Sequence, residues 1–171
     1  MAKLVPLSKI EHKAVELLLD AAFGRDRIER TAYKVRAGVA PIASLSFAAL
    51  GGGELLGTAQ SWPVLLKPHH SPAQRLIMVG PVAVRPDAQD HGIGQMLTDA
   101  ICEELDSRKL SATMIGDPEY YERFFGFVSG PAGGWTLPGP VEPHRILLRA
   151  VPGADWPAEG TLGPDILRSA R

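Results

Sequence analysis

The stretch Leu76–Gly94, LIMVGPVAVRPDAQDHGIG, constrains this chain more than any other. It opens on an apolar, β-branched run, Leu76–Val84, with the composition of a strand but broken at its centre by Gly80-Pro81. Proline cannot donate to a sheet ladder, so within a strand it sits at an edge or a bulge, and glycine beside it favours the bulge. A turn follows at Arg85-Pro86-Asp87, and the glycine-containing loop QDHGIG runs straight into a long amphipathic helix.

Two chemical consequences follow. A bulge splays a strand from its neighbour and leaves backbone groups of Val82, Ala83 and Val84 without partners, open to an extended ligand that carries amides. The helix beyond the loop begins with N–H groups that have no intrahelical partner, and its dipole favours negative charge there. Gly92 and Gly94 carry no side chain to hold a phosphate off that backbone. Amide pairing along a strand, followed within a few residues by a pyrophosphate cradle, matches the shape of coenzyme A. A P-loop is excluded because no Gly-Lys-Ser/Thr follows the glycines. A dinucleotide fold is disfavoured, since QDHGIG lacks the third spaced glycine and a Gly-Pro break is foreign to its first strand.

On these residues the chain resembles the GNAT superfamily of N-acetyltransferases. GPVAVRPDAQDHGIGQML is similar to the acyl-CoA motif, Gln/Arg-x-x-Gly-x-Gly/Ala after a bulged strand, with Gln89, Gly92 and Gly94 at the signature positions. Downstream, Gly116–Phe127, GDPEYYERFFGF, resembles the Gly-Asp-Pro-x-Tyr-Tyr…Gly-Phe block of the YhbS-like branch. The blocks stand in the family's order, and the resemblance spans about Leu4 to Arg149. The chain departs from the pattern twice. Asp90 and His91 stand where the family carries Gly and a basic residue, and Phe124-Phe125 stands where one phenylalanine is usual. A carboxylate beside a diphosphate is repelled unless it points to solvent.

The resemblance implies an α/β (α+β) GNAT fold: a central mixed, mostly antiparallel sheet with a bulged central strand, flanked by helices. It implies one N-acetyltransferase domain over residues 1–171, loop-rich from about 129. Acetyl-CoA is the implied cosubstrate, with no metal, held by Val82, Ala83, Val84, Gln89, Asp90, His91, Gly92, Ile93, Gly94, Gln95 and Tyr121. The implied reaction is direct attack of a primary amine, of a small molecule or a peptide, on the thioester. The Val82 N–H would polarise the carbonyl, and Tyr121, with Tyr120 as rival, would protonate the thiolate. Counting forward from Gly116-Asp117-Pro118 selects Tyr121, whereas counting back from Gly126-Phe127 selects Glu122. The alternative to packing catalysis into Tyr121 is that both rings simply pack beside Phe124, Phe125 and Phe127. No base is assignable among Glu54, His69, Asp117 and His144, and Asp117 also reads as the cap of the helix opening at Pro118. A CoA-binding sensor without turnover is the rival class.

Composition bounds the rest. At 171 residues the chain is long enough for a real core. A net charge of -1 without a basic cluster argues against nucleic acid as a main partner. A lone cysteine, Cys102, excludes an internal disulfide and fits a reducing compartment, and it reads as packing. The opening MAKLVPLSKIEH lacks an apolar signal core, and no run approaches a membrane span. A soluble cytoplasmic protein, monomer or homodimer, is expected, with no membrane partner.

Local patterns predict a strand over Lys3–Leu7, a capping box at Ser8–Glu11, and a helix with Ile10, Ala14, Leu17, Leu18 and Ala21 inward, closed by Gly24. A weaker helix is expected over Arg27–Arg36, with Ile28, Ala32 and Val35 on one face. Leu45–Leu50 and Glu54–Leu66 flank a Gly51-Gly52-Gly53 hairpin turn, Pro63 limiting how far the second strand pairs. His69 and His70 fall in a polar loop without further ligands at metal spacing. The helix from Ile93 should turn Ile93, Met96, Leu97, Ala100, Ile101 and Leu105 inward, with Ser111–Gly116 as the next strand. From Ser129 on, Gly- and Pro-rich loops are expected around one strand, Arg145–Val151, with Trp135 and Trp156 as anchors. A short helical turn or frayed tail should close the chain over Asp165–Arg171.

Overall fold

Gly80-Pro81 divides the central strand, and the sheet is arranged about that break. A computed structural model describes residues 2–169 of the chain. In order, the elements are β1 (Lys3–Pro6), α1 (His12–Phe23), α2 (Thr31–Val35), β2 (Phe47–Gly51), β3 (Glu54–Lys67), β4 (Gln74–Val84) and α3 (Ile93–Ser107). They continue with β5 (Ala112–Ile115), α4 (Pro118–Phe125), β6 (Val128–Ser129), β7 (Trp135–Thr136), β8 (Ile146–Arg149), β9 (Gly160–Pro164) and α5 (Ile166–Ser169). The strands form one mixed, mostly antiparallel sheet in the order β1-β2-β3-β4-β5-β8-β6, with β9 paired to β3 and β7 to β9. Only the β4–β5 and β7–β9 pairs run parallel.

The expected bulge is present. Ala59 faces Val82 and Ser61 faces Val79, so a single β3 residue stands opposite both Gly80 and Pro81. The extra residue reverses the alternation of side chains along β4. Before it, Ile77 and Val79 turn toward α3, while Leu76 and Met78 turn to the other face with Val35 and Trp135. After it, Val82 and Val84 are the residues that pack on the α3 side, and Ala83 turns to α1. On its other edge β4 meets β5 at Ile77–Ala112 and Met78–Thr113 and nowhere beyond, which opens the expected gap between the strands. The expectation of unpaired backbone at Val82–Val84 holds only on that edge: toward β3 they pair with Ala59, Thr58 and Gly57.

The amphipathic helix forms as its pattern predicts. Ile93, Leu97, Ile101 and Leu105 are buried against the sheet, joined by Thr98 and Cys102. Met96 and Ala100 are only half-buried, at the edge of the stripe. Each fully buried aliphatic side chain of this kind stabilises the fold by roughly 1.5–3 kcal/mol.

Several local expectations are corrected. Ser8 lies in a 3-10 turn, and Glu11, not Ser8, is the N-cap of α1, without a side-chain bond. The buried stripe of α1 is Val15, Leu18 and Leu19, while Leu17 is 59% exposed. Ile10 lies outside the helix, so the phase it suggested was displaced. Arg27–Arg36 is not one helix: a 3-10 turn over Arg25–Glu29 and the short α2 are separated by extended Arg30, and Ile28 is exposed. Arg27 is drawn into the protein by Glu16 and Asp20 of α1, which pulls this turn out of helical register.

Pro63 does not shorten β3, which pairs with β4 from Gly57 to Leu66. Its carbonyl accepts from the Asp165 N–H, so its imide nitrogen faces the same edge, between the β2 and β9 pairings, where the ladder needs no donor. The region from Ser129 holds more strand than expected. β9 (GTLGP) lies along β3 from Val64 to Lys67 and carries β7 on its other edge. Trp135 is buried and donates its indole N–H to the Pro157 carbonyl at 2.9 Å, with the Trp156 ring tilted against it 6.1 Å away, as anchors. Of the tail expected over Asp165–Arg171, residues 166–169 are helical and the last two lie outside the described residues. Among the described residues no helix is long and apolar enough to cross a membrane.

Candidate active site

The loop before α3 builds a cavity of about 530 Å³. Its walls are Val82 and Val84 from β4, the turn Gln89–Asp90, the helix start Gly92–Gln95, and Tyr120 and Tyr121 from α4. Gly92 caps α3 with φ 76° and no side-chain bond, so the first N–H groups of the helix are left free of a capping side chain. A β-carbon at Gly94 would meet Val84 Cγ2 at 3.6 Å, an ordinary contact, so the protein itself tolerates a side chain here and the missing one enlarges the cavity. Asp90 sits in left-handed backbone, φ 66°, which glycine adopts without strain. Two expected cofactor residues fall outside this wall: Ala83 is buried toward α1, and the exposed His91 does not line the cavity.

A second cavity, of about 890 Å³, opens on the other side of the parted strands. The bulge residues Gly80 and Pro81, the end of β5 from Met114 to Gly116, and the α1–α2 region with Phe23, Arg27 and Arg36 enclose it. Phe23, Val82 and Tyr121 line both cavities, so the two meet at Val82 and Tyr121. A thioester held in the first cavity and a nucleophile held in the second would therefore come together at these residues.

Tyr121 reaches this junction because of how α4 begins. Asp117 accepts from the Glu119 N–H at 3.0 Å, as its capping role requires, and Pro118 occupies the first turn. Gly126 closes the helix with φ 74°. At this end Phe124 is 47% exposed, while Phe125 and Phe127 are buried. Glu122, which the backward count selects, is exposed and lines neither cavity. Burial foremost, then Tyr120 and Asp117, push the Tyr121 phenol above its ordinary value, with Arg145 opposing. Tyr120 is more exposed, packs edge-on to Tyr121 at 4.9 Å, and is raised by burial and Asp99.

The candidate bases scatter. Glu54 pairs with Arg85 at the hairpin, His69 with Glu159, and exposed His144 with Glu142. Asp117 borders the larger cavity, but its carboxylate is engaged in the cap. His69 and His70 lie in an exposed loop, and among the described residues no group of three metal-ligating side chains forms. Cys102 packs in the α3 core, where burial raises its thiol to about 11. Sequence reasoning missed the aromatic–arginine cluster of Tyr33, Arg36 and Trp62. The Gly80 carbonyl accepts from the Trp62 indole at 2.6 Å and from Arg36 at 2.9 Å, which pins the bulge. Tyr33 and Arg36 stand three apart, one helical turn, a spacing too common to single them out.

A model of the acetyltransferase (GNAT) family matches residues 12–127. Among solved structures, the chain is similar to a GNAT family acetyltransferase from Brucella melitensis in complex with acetyl-CoA. The two are 21% identical over 95% of each chain, with a TM-score of 0.64. It is also similar to the GNAT family N-acetyltransferase YhbS from Escherichia coli in complex with CoA, 18% identical over 96% of this chain and 88% of that one, with a TM-score of 0.67. At these identities the likeness is one of fold. No protein of curated function matches the sequence.

Proposed function

The chain belongs to the acetyltransferase (GNAT) family, and from that premise we propose that it is an acetyl-CoA-dependent N-acetyltransferase acting on a primary amine. The observation that carries this reading is the meeting of two cavities at Val82 and Tyr121, beside strands that part after Met78. The acetyl-CoA and CoA bound to the two similar proteins support the choice of cosubstrate.

The residues present fit that cosubstrate. The unpaired edge of β4 over Val82–Val84 offers backbone amides to a pantetheine arm, as an added strand would use them. The α3 N-terminus, with Gly92 and Gly94 bare, offers free N–H groups and the positive end of a dipole to a diphosphate. Gln89 and Gln95 flank it with neutral donors, and Asp90 opposes it by charge. Ala83 turns its backbone into the β3 ladder opposite Thr58 and so adds no free amide, and His91 adds at most a solvent-side contact.

In the reaction, a neutral amine attacks the thioester carbonyl carbon, a C–N bond forms and the C–S bond breaks. The Val82 N–H holds the negative charge that develops on oxygen, a term of the oxyanion-hole kind. Tyr121 gives its phenolic proton to the departing thiolate. Its raised pKa keeps it protonated at neutral pH. Since an ordinary thiol, of pKa about 8.5, is the stronger acid, the transfer to the thiolate is uphill and is completed when the phenolate takes back a proton from water. The amine's proton leaves through water, since none of the candidate bases is free at the junction.

Incubating the protein with acetyl-CoA and a panel of primary amines and peptide N-termini, with thiol release followed by absorbance, tests the reading. Amine-dependent release is the expected result. Saturable acetyl-CoA binding with no release across the panel would favour the sensor instead.

A further inference from the structure

The larger cavity, which carboxylates of Glu29, Asp117 and Glu142 also line, holds a buried guanidinium with no carboxylate in ion-pair contact among the described residues, Glu16 acting on it only at a distance. Four arginines line it: Arg27, Arg30, Arg36 and Arg145. Arg27 is paired with Glu16 and Asp20 and also donates to the Tyr33 hydroxyl. Arg30 is exposed and bonds the Phe23 carbonyl at 3.1 Å. Arg36 differs from both. It is only 5% exposed, at the end of α2, with its guanidinium carbon 3.9 Å from the Tyr33 ring centroid and 4.2 Å from that of Trp62. Nη1 donates to the Gly80 carbonyl, and among the described residues no carboxylate forms an ion pair with it. None of its nitrogens is among the fully enclosed atoms without a partner, so its unbonded donors keep some accessible surface, and Arg36 lines both the larger cavity and a smaller one that it shares with Glu16. Burial foremost, and then Arg27, lower its pKa to about 10, against the raising pull of Tyr33 and Glu16.

Resting on the acetyltransfer reading, we propose that Arg36 binds a carboxylate of the acceptor, so that the substrate class is a small amino acid whose amine is acetylated. The guanidinium is a planar fork matched to a carboxylate, and the aromatic rings on it fix its plane. Its anchor places the site near the chemistry. Gly80 precedes Val82 by two residues, at most about 7 Å of extended chain. Arg36, Gly80 and Val82 all line the one cavity, so a small amino acid is the acceptor size that can reach from the guanidinium to the thioester. Met78, Val79, Met114, Ile115 and Val141 supply an apolar wall for a side chain.

Calorimetry with the product pair N-acetyl-L-leucine and N-acetyl-L-leucinamide, on the protein with and without saturating CoA, reads the carboxylate alone. The wild type should bind the carboxylate at least about tenfold tighter than the amide, the scale of one charge-assisted hydrogen-bonded pair. Arg36→Lys should keep part of that preference, and Arg36→Met should erase it while leaving affinity for the amide. Equal affinities in the wild type, or heat from neither compound at tens of millimolar, overturn the proposal without needing a folded variant. Tighter binding of the matching aminophosphonate would move the site to phosphorylated amines and overturn the carboxylate assignment. The two readings fail separately. If leucinamide is acetylated as well as leucine, acetyltransfer stands and the carboxylate site falls. If acetyl-CoA does not bind, the activity falls, and the carboxylate preference is still read on the CoA-free protein.

Discussion

Tyr121 lays its ring against Gly116: a β-carbon at Gly116 would stand 2.9 Å from both Cδ2 and Cε2 of the ring. The last residue before the α4 cap therefore sets where the phenol lies, at the junction of the two cavities. Gly116→Ala should push the ring away, lowering kcat by about tenfold or more while CoA affinity changes little. Overpacking of this kind also costs about 1–3 kcal/mol of stability. Unchanged kcat in a variant with an altered melting temperature would show that the ring's position is immaterial to turnover.

Tyr121→Phe should lower kcat by about 10²–10⁴-fold, the range of a positioned acid, with CoA binding retained. No protein group bonds its hydroxyl among the described residues, so stability should stay within about 0.5 kcal/mol. The active form is the protonated one, and its pKa is raised. The neutral amine the reaction needs gives kcat a rising limb toward alkaline pH, and the protonated Tyr121 therefore gives a falling limb as pH rises through that raised value. A kcat–pH profile with the same falling limb in the Phe variant would assign the limb, and the acid, elsewhere. Tyr120→Phe is the control and should keep activity.

Gly94→Val should abolish the melting shift given by CoA. Without substitution, a hundredfold excess of ligand over its Kd stabilises the native state by about 2.7 kcal/mol. The valine branches would project beyond a β-carbon already in contact with Val84, into the diphosphate cradle. A variant that folds and still shows the full shift would place the cradle away from α3. Gly92→Val is the less clean test, because φ 76° strains any β-branched residue.

Asp90→Gly should tighten CoA binding, by removing a carboxylate from the cradle wall, and should raise stability by up to about 1 kcal/mol by relieving left-handed backbone. The two effects separate. Higher stability with unchanged Kd would mean that the carboxylate points to solvent.

Cys102 should resist alkylation in the native state. With its thiol raised to about 11 by burial, roughly one molecule in a thousand carries the thiolate at pH 8. Iodoacetamide labelling at the rate of a free thiol under native conditions would contradict its burial.

Much of the site was legible because its signals are local. Gly80-Pro81 announces a bulge by removing a donor, and Gly92-x-Gly94 announces a bare helix start. Asp117-Pro118 fixes where α4 begins and so which tyrosine lies at which turn. The long amphipathic α3 was equally plain, since Leu97, Ile101 and Leu105 recur at helical spacing over more than two turns. Short segments were not. The phase of α1 and the break at Arg30 depend on which side chains Glu16 and Asp20 capture, and β9 reads as loop until β3 supplies its partner.

The sequence by itself determined that a strand breaks, a helix begins bare, and a second helix starts at Pro118, because proline, glycine and a capping aspartate act through their own backbone. Tertiary structure alone decided what faces what. LIMVGPVAV is apolar throughout, so only the register against β3 reveals that the bulge reverses the alternation and turns Val82 and Val84 toward α3. Arg36 is the same lesson in charge. Nothing along the chain marks it as buried beyond Tyr33 one turn away, and its burial is decided only when the distant Trp62 and Gly80 carbonyl close around it.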